Sequence, residues 1–113
     1  MTASQPTARP YVIESVEVLA DTLDLRMTVF TVGAGQEIPW HWHTNVSDTY
    51  FGMEGMVVVE TRAPAARLEI GPGQTGMVPP KRAHRVAGKD GGRCKFAILQ
   101  GVGTYDFNPV GKP

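Results

Sequence analysis

His41 and His43 stand two residues apart in the stretch Gly35-Gln-Glu-Ile-Pro-Trp-His41-Trp-His43, and the chain's third and last histidine, His84, follows Pro79 and Pro80 on a later segment. Side chains two apart on an extended strand share a face, so His41 and His43 can offer two imidazoles to one ion from one wall of a β structure. His84 can close the site from a second strand. Asp48, five residues after His43 across the polar turn Thr44-Asn45-Val46-Ser47, adds a carboxylate. Three neutral nitrogens and an oxygen suit a divalent transition metal such as iron, manganese, nickel or zinc. Taken alone, a His-x-His pair reads equally well as two solvated or hydrogen-bonded histidines on a strand. The surrounding spacing has to decide.

In that spacing, Gly35, five residues, His41, one residue, His43, four residues, Asp48, six residues and Gly55 form a first run. Gly73, five residues, Pro79, one residue, Lys81, two residues, His84, three residues and Gly88 form a second. In this order the runs resemble the two motifs of the cupin superfamily, with Asp48 in place of the usual glutamate, Lys81 in place of a glycine and Gly88 in place of an asparagine. The resemblance spans roughly Gly33 to Gly88. It implies an all-β, single-domain, double-stranded β-helix barrel of the jelly-roll type. It also implies one divalent transition metal per chain, with His41, His43, Asp48 and His84 as the ligand set, and pairing as a homodimer.

Cupins include dioxygenases, isomerases, decarboxylases and lyases, and the fold alone does not choose among them. Aspartate is shorter than glutamate by one methylene, about 1.3 to 1.5 Å of reach, whereas metal–oxygen bonds tolerate errors of only about 0.2 Å. Either the turn draws Asp48 closer, or it acts through water or orients a histidine. The second case leaves a three-histidine site that resembles those of the thiol dioxygenases and the acetylacetone-cleaving enzyme within the superfamily. Both cases leave open coordination positions. The first expectation is therefore a dioxygenase-type oxidoreductase, with iron first among the metals and a small polar substrate, a carboxylate or a dicarbonyl, beside dioxygen. The alternatives are a metal-dependent isomerase, decarboxylase or lyase, a non-catalytic small-molecule binder, a closed zinc site, and a barrel whose site has decayed.

Two residues near the motifs have a plainer reading beside a functional one. Tyr50 shares the face of Asp48, so its phenol can act on substrate as a catalytic group or simply fill the barrel. Lys81 can guard the pocket mouth for an anionic substrate, but a solvated lysine beside Arg82 and Arg85 is the favoured reading. Replacing a turn glycine by lysine also predicts a different turn type before His84.

The whole chain sets the remaining bounds. Its 113 residues suffice for one domain with a single core, spanning 11–113 after an irregular arm at 1–10. Hydrophobic residues make up 42% and the 11 basic side chains balance the 11 acidic ones, which argues against disorder, nucleic-acid binding and a polybasic membrane patch. Cys94 is the only cysteine. It excludes an intramolecular disulfide, fits a reducing compartment and reads as a small buried hydrophobe. No apolar run approaches the ~18 residues of a membrane span, and the first ten residues lack the order of a signal peptide, so a cytoplasmic location is expected.

The elements that must position the site read as strands. Tyr11–Leu19, Leu23–Val32, the histidine segment, Thr49–Met53, Met56–Thr61, Arg67–Ile70, Thr75–Val78, Ala83–Ala87 and Arg93–Gln100 are short, β-branched and punctuated by glycine and proline. Glu54-Gly55 predicts a tight hairpin, and Gly33-Ala-Gly35 a turn rather than a phosphate loop, because no helix pattern follows it. With His41 and His43 inward, Trp40 and Trp42 face outward, where sheet packing or a dimer partner would cover them. Val86 shares the face of His84. Of the two alternating sets on the last strand, Cys94, Phe96 and Ile98 are the more apolar and are expected to line the interior.

Overall fold

The computed structural model describes residues 11–110; the arm expected at 1–10 lies outside the described residues. The described residues form ten strands: β1 (Ser15–Asp21), β2 (Leu25–Val32), β3 (Glu37–Trp42), β4 (Ser47–Glu54), β5 (Val57–Thr61), β6 (Ala66–Ile70), β7 (Thr75–Val78), β8 (His84–Gly88), β9 (Cys94–Gly101) and β10 (Asn108–Pro109). A single 3-10 turn, Lys89–Gly91, joins β8 to β9. Two five-stranded sheets, ordered β1-β2-β9-β4-β7 and β10-β3-β8-β5-β6, face each other, and every pairing is antiparallel. The all-β expectation holds.

Alternation explains why the sheets close on one another. Phe30 and Val32 of β2, Phe96 and Ile98 of β9, Tyr50 of β4, Val57 and Val59 of β5 and Val86 of β8 form one apolar core. Burying such β-branched and aromatic side chains stabilises the fold by about 1.5–3 kcal/mol each. The Cys94, Phe96, Ile98 set points inward as expected, and Cys94 is fully buried. Burial pushes its thiol pKa up to about 11, which fits an inert packing role. The hairpin between β4 and β5 turns at Gly55, with φ +68°, where a Cβ would lie 2.4 Å from the Arg93 carbonyl oxygen. Only glycine fits there.

Register places the polar interior at one end. Val78, Asp48, Gln100 and Arg26 form one inward rung across β7, β4, β9 and β2. His41, His84 and Thr61 form the corresponding rung across β3, β8 and β5. The adjoining rungs are mostly apolar, Gly76, Tyr50, Ile98 and Thr28 in one sheet and Ile38, Val86 and Val59 in the other. A β-bulge makes the histidine rung possible. Ile38 pairs with Val86 and His41 with His84, so three steps along β3 match two along β8. The extra residue lets both Ile38 and His41 face inward despite their odd separation, and the bulge falls at Pro39 and Trp40, of which Pro39 has no N–H to give to a ladder.

The outward tryptophans are half-buried. Arg62 covers the Trp40 ring, its guanidinium carbon 3.9 Å from the ring centroid, so that indole finds a partner within the chain. The outer faces of the two sheets differ. Arg85 joins Glu37 and Glu60 on the second sheet, while Phe51, Met53 and Met77 stand exposed on the first.

Candidate metal centre

His41 lies on β3, His43 one residue beyond its end, Asp48 on β4 and His84 on β8. All four are buried, and their potential ligand atoms lie within 4.8 Å of one another. Two ligands on opposite sides of one ion with ~2.1 Å bonds stand about 4.2 Å apart, so a small inward adjustment would let all four share an ion. Each imidazole is aimed by its far nitrogen. Nδ1 of His41 lies 2.7 Å from the Pro39 carbonyl, Nδ1 of His43 2.6 Å from that of Asp106, and Nδ1 of His84 2.8 Å from that of Arg82. A carbonyl only accepts, so each Nδ1 carries the proton and each Nε2 is turned to the centre.

Asp48 reaches that centre despite its short side chain. Its Oδ2 lies 2.8 Å from His84 Nε2 and 3.1 Å from His43 Nε2. A cation would take over these contacts. The other oxygen, Oδ1, accepts a hydrogen bond from Gln100 Nε2 at 3.1 Å, leaving Oδ2 as the oxygen presented to an ion. Tyr50 donates its hydroxyl to Oδ2 at 3.3 Å and packs on Phe96 with ring centroids 5.5 Å apart. Its position beside Asp48 therefore matches the expectation. The donor set and convergence fit a divalent transition metal.

Electrostatics separate the histidines. Burial, reinforced by the neighbouring His84, holds the His41 pKa down to about 3, so this imidazole is neutral and ready to ligate. Burial also opposes charge on His43, but the hydrogen bond and charge of Asp48, with Asp106 behind, outweigh it and raise its pKa. For Asp48, burial alone would favour the acid form, yet hydrogen bonds from His43 and His84 hold its pKa well below the usual carboxylate range. The centre thus holds a carboxylate and a proton that a metal ion would displace.

The turn before His84 departs from expectation. Lys81 keeps a left-handed backbone, φ 68°, the conformation for which glycine is the usual choice, and its N–H donates to the His43 carbonyl at 2.7 Å. That hydrogen bond ties the turn to the end of the histidine strand and offsets the strain of a side chain at positive φ. The Lys81 residue itself is exposed.

A second wall of the site carried no motif. After β9 the chain crosses the barrel mouth, laying Phe107 on His41 with centroids 4.4 Å apart and planes 16° from parallel, and Tyr105 5.4 Å from His43. Tyr11, expected to begin a strand, instead packs on Phe107 at 5.7 Å. Asp106 anchors the crossing segment by accepting from the Thr44 N–H at 2.8 Å and from the Thr44 hydroxyl. Asn108 and Pro109 then pair with Trp42 and His41. The cavity left among these groups measures about 20 Å³, room for roughly one or two waters. Gln100 was the one missed residue with a sequence signal, since it continues the inward alternation of Cys94, Phe96 and Ile98.

No protein-family model and no curated protein matches the sequence. Solved structures do match in fold. A conserved protein with a double-stranded β-helix domain from Klebsiella pneumoniae is 20% identical, with TM-score 0.69 over 96% of this chain and 90% of its own. A cupin-2 domain protein from Shewanella frigidimarina is 22% identical, with TM-score 0.64 over 80% of this chain and 82% of its own. An oxalate oxidase in complex with the substrate analogue glycolate is 16% identical with TM-score 0.72, matching 85% of this chain but only 54% of that enzyme. Among the described residues no helix is long and apolar enough to cross a membrane. Strand order, register and these matches agree that the chain folds as a double-stranded β-helix barrel of the cupin type.

Proposed function

We propose that this protein is a metal-dependent oxidoreductase of the dioxygenase type, acting on a small carboxylate or dicarbonyl compound. The observation that carries the reading is the convergence of His41, His43, His84 and Asp48 in a buried group whose outer atoms are already held by Pro39, Asp106, Arg82 and Gln100. Such holding lowers the cost of ordering ligands at the moment of binding. His41, His43 and His84 would supply Nε2 and Asp48 Oδ2, with iron as the first candidate and manganese, nickel and zinc as alternatives. When bound, the ion would polarise substrate oxygens and, if redox-active, support chemistry with dioxygen. The surrounding Phe107, Ile38, Val86 and Ile98 keep the reacting groups from bulk water and strengthen local electrostatics. The match to an oxalate oxidase holding glycolate supports a small carboxylate as the substrate class.

A second reading, a metal-dependent decarboxylase, isomerase or lyase, is favoured by the Tyr50 hydroxyl, which sits 3.3 Å from Asp48 Oδ2 and can hold or deliver a proton there. Burial and the Asp48 charge raise the Tyr50 pKa well above its ordinary value, so it stays protonated as a donor. Tyr50→Phe should lower kcat by about 10²-fold if the proton is used; an unchanged kcat would assign Tyr50 to packing alone.

Elemental analysis of the untagged, chelator-free protein, with His84→Ala in parallel, tests the metal reading. About one iron, manganese or nickel per chain, lost in the variant, is expected. Oxygen uptake with small carboxylates then separates oxidative from non-oxidative chemistry. No metal in either protein, even after anaerobic ferrous loading, would overturn the proposal in favour of a metal-free binding barrel.

A further inference from the structure

Resting on the metal-centre reading, we propose that Arg26 recognises the carboxylate of the substrate at the mouth of the site, in the space that Tyr105 occupies in this structure. Arg26 pairs with Gln100 and Gln100 with Asp48, so all three lie on one inward rung. Adjacent strands are about 4.8 Å apart, which places the Arg26 backbone roughly 10 Å from that of Asp48. Among the strand cations of the described residues, Arg67, Arg85 and Lys95 occupy outward positions, and Arg26 alone faces the interior. Its guanidinium carbon lies 4.7 Å from the centroid of Tyr105, and that ring lies 5.4 Å from His43. The charge therefore sits within about 10 Å of the histidine ring, with Tyr105 in contact with both.

The site as closed is too small for its work. A cavity of about 20 Å³ cannot receive an organic acid. Of the groups that line it, Tyr105 and Phe107 belong to a segment that enters a strand ladder only at Asn108 and Pro109 and is otherwise held by Asp106 on Thr44 and His43 and by the Gly103 N–H on the Asp24 carbonyl, whereas Asp48, Ile98 and Gln100 belong to long ladders. Displacing Tyr105 outward is the least disruptive way to make room. It would free the Arg26 guanidinium to turn its N–H edge toward the metal centre along the rung that already carries Gln100.

Charge gives the ligand its sign. Three neutral imidazoles and one carboxylate around a divalent ion leave a formal charge of +1, and Arg26 adds a second positive group on the same side. The fork of a guanidinium matches a carboxylate bidentately. Its present partner competes weakly: Arg26 Nη1 donates to Asp21 Oδ2 at 3.3 Å, with the Asp21 side chain 53% exposed. Exposed pairs of this kind add little. The ligand class is a short carboxylic acid with a second oxygen donor at its other end, one end at the ion and the other at Arg26.

The test uses the full chain loaded with Ni²⁺ and titrated calorimetrically with malonate, succinate and glutarate, against their diamides as neutral controls. At least one dicarboxylate is expected to bind, with about tenfold loss of affinity in Arg26→Gln, partial retention in Arg26→Lys, and no such dependence for the diamides. Asp21→Asn removes the competing carboxylate without touching Arg26 and should tighten binding severalfold, which keeps the proposal testable if Arg26→Gln folds poorly. Nitrogen-15 NMR of the Arg26 Nε–H group should shift on binding to the wild type. Ni²⁺ binding with equal carboxylate affinity in the wild type, Arg26→Gln and Asp21→Asn, or with no carboxylate binding at all, overturns this inference while leaving the metal centre standing. Failure to bind Ni²⁺ overturns the metal reading, and the role of Arg26 falls with it.

Discussion

The site has two walls built in different ways. His41, Asp48, His84 and Gln100 project from strands paired along most of their length. Tyr105, Asp106 and Phe107 come from a segment that crosses the barrel mouth and joins a sheet only at Asn108 and Pro109. Ladder hydrogen bonds and core packing hold the first wall, and metal ligation demands ligands placed within a few tenths of an ångström. Ring stacking, Asp106 and a few hydrogen bonds at Gly103, Asn108 and Val110 hold the second. Under the proposed function, ligation would fall mainly to the first wall and access to the second, which has fewer ladder bonds to break. His43 belongs to both, since it follows β3 and takes its Nδ1 partner from the crossing segment.

The largest expected effect breaks the rigid wall. Asp48 is 1% exposed and meets His43, His84, Gln100 and Tyr50. Asp48→Ala should destabilise the metal-free protein by about 3–5 kcal/mol, because it leaves buried polar groups without their counter-charge. Urea unfolding measures this, and a loss below about 1 kcal/mol would show the cluster to be far less coupled than its geometry implies.

A pH series on the chelator-treated protein comes next. His41 has its folded pKa lowered from 6.5 to about 3, so its contribution is lost as pH falls between those values. His43 has its folded pKa raised above 6.5, so its contribution is full below 6.5 and lost as pH rises through the folded value. Asp48, with its pKa lowered from 3.8, adds a further loss as pH falls below that point. The cluster therefore predicts greatest stability near pH 6.5, with slopes approaching about 1.4 kcal/mol per pH unit for each proton linked. A denaturation midpoint that rises steadily from pH 5 to 8 would contradict the opposed shifts. Metal affinity should fall about tenfold per unit as pH drops below the raised His43 value, since one proton competes with the ion.

The smallest effect probes the second wall. Asp106→Asn weakens the hold on Thr44 and should cost about 1 kcal/mol of stability, yet it should speed metal exchange severalfold by loosening the cover over His43. Stopped-flow transfer to a chelator distinguishes the walls. Equal exchange rates in Asp106→Asn and the wild type would mean that the crossing segment does not control access.

Much of the rigid wall was legible in the sequence because its signals are local. The alternation of His41 and His43, the inward set Cys94, Phe96 and Ile98, and the Glu54-Gly55 hairpin follow from the period of a strand and the conformational freedom of glycine. The bulge in β3 was not legible in advance, although Pro39 marks it, because a bulge exists only relative to a partner strand. Lys81 misled for a related reason: the left-handed turn is retained because its N–H finds the His43 carbonyl, a contact between residues 38 positions apart. The crossing segment offered no motif at all, and a turn-rich stretch such as Gly101–Asn108 acquires meaning only from what lies beneath it.

By itself the sequence determined the all-β architecture and the inward alternation on the strands that carry His41, Asp48, His84 and Phe96, and its two short runs of fixed spacing pointed to four residues that could share an ion. Tertiary structure alone decided that Asp48 reaches the imidazoles, that Gln100 occupies its second oxygen, that Arg26 stands on the same rung and that Tyr105 and Phe107 close the mouth. These contacts join residues far apart in the chain, and only the register of paired strands sets the distance between them.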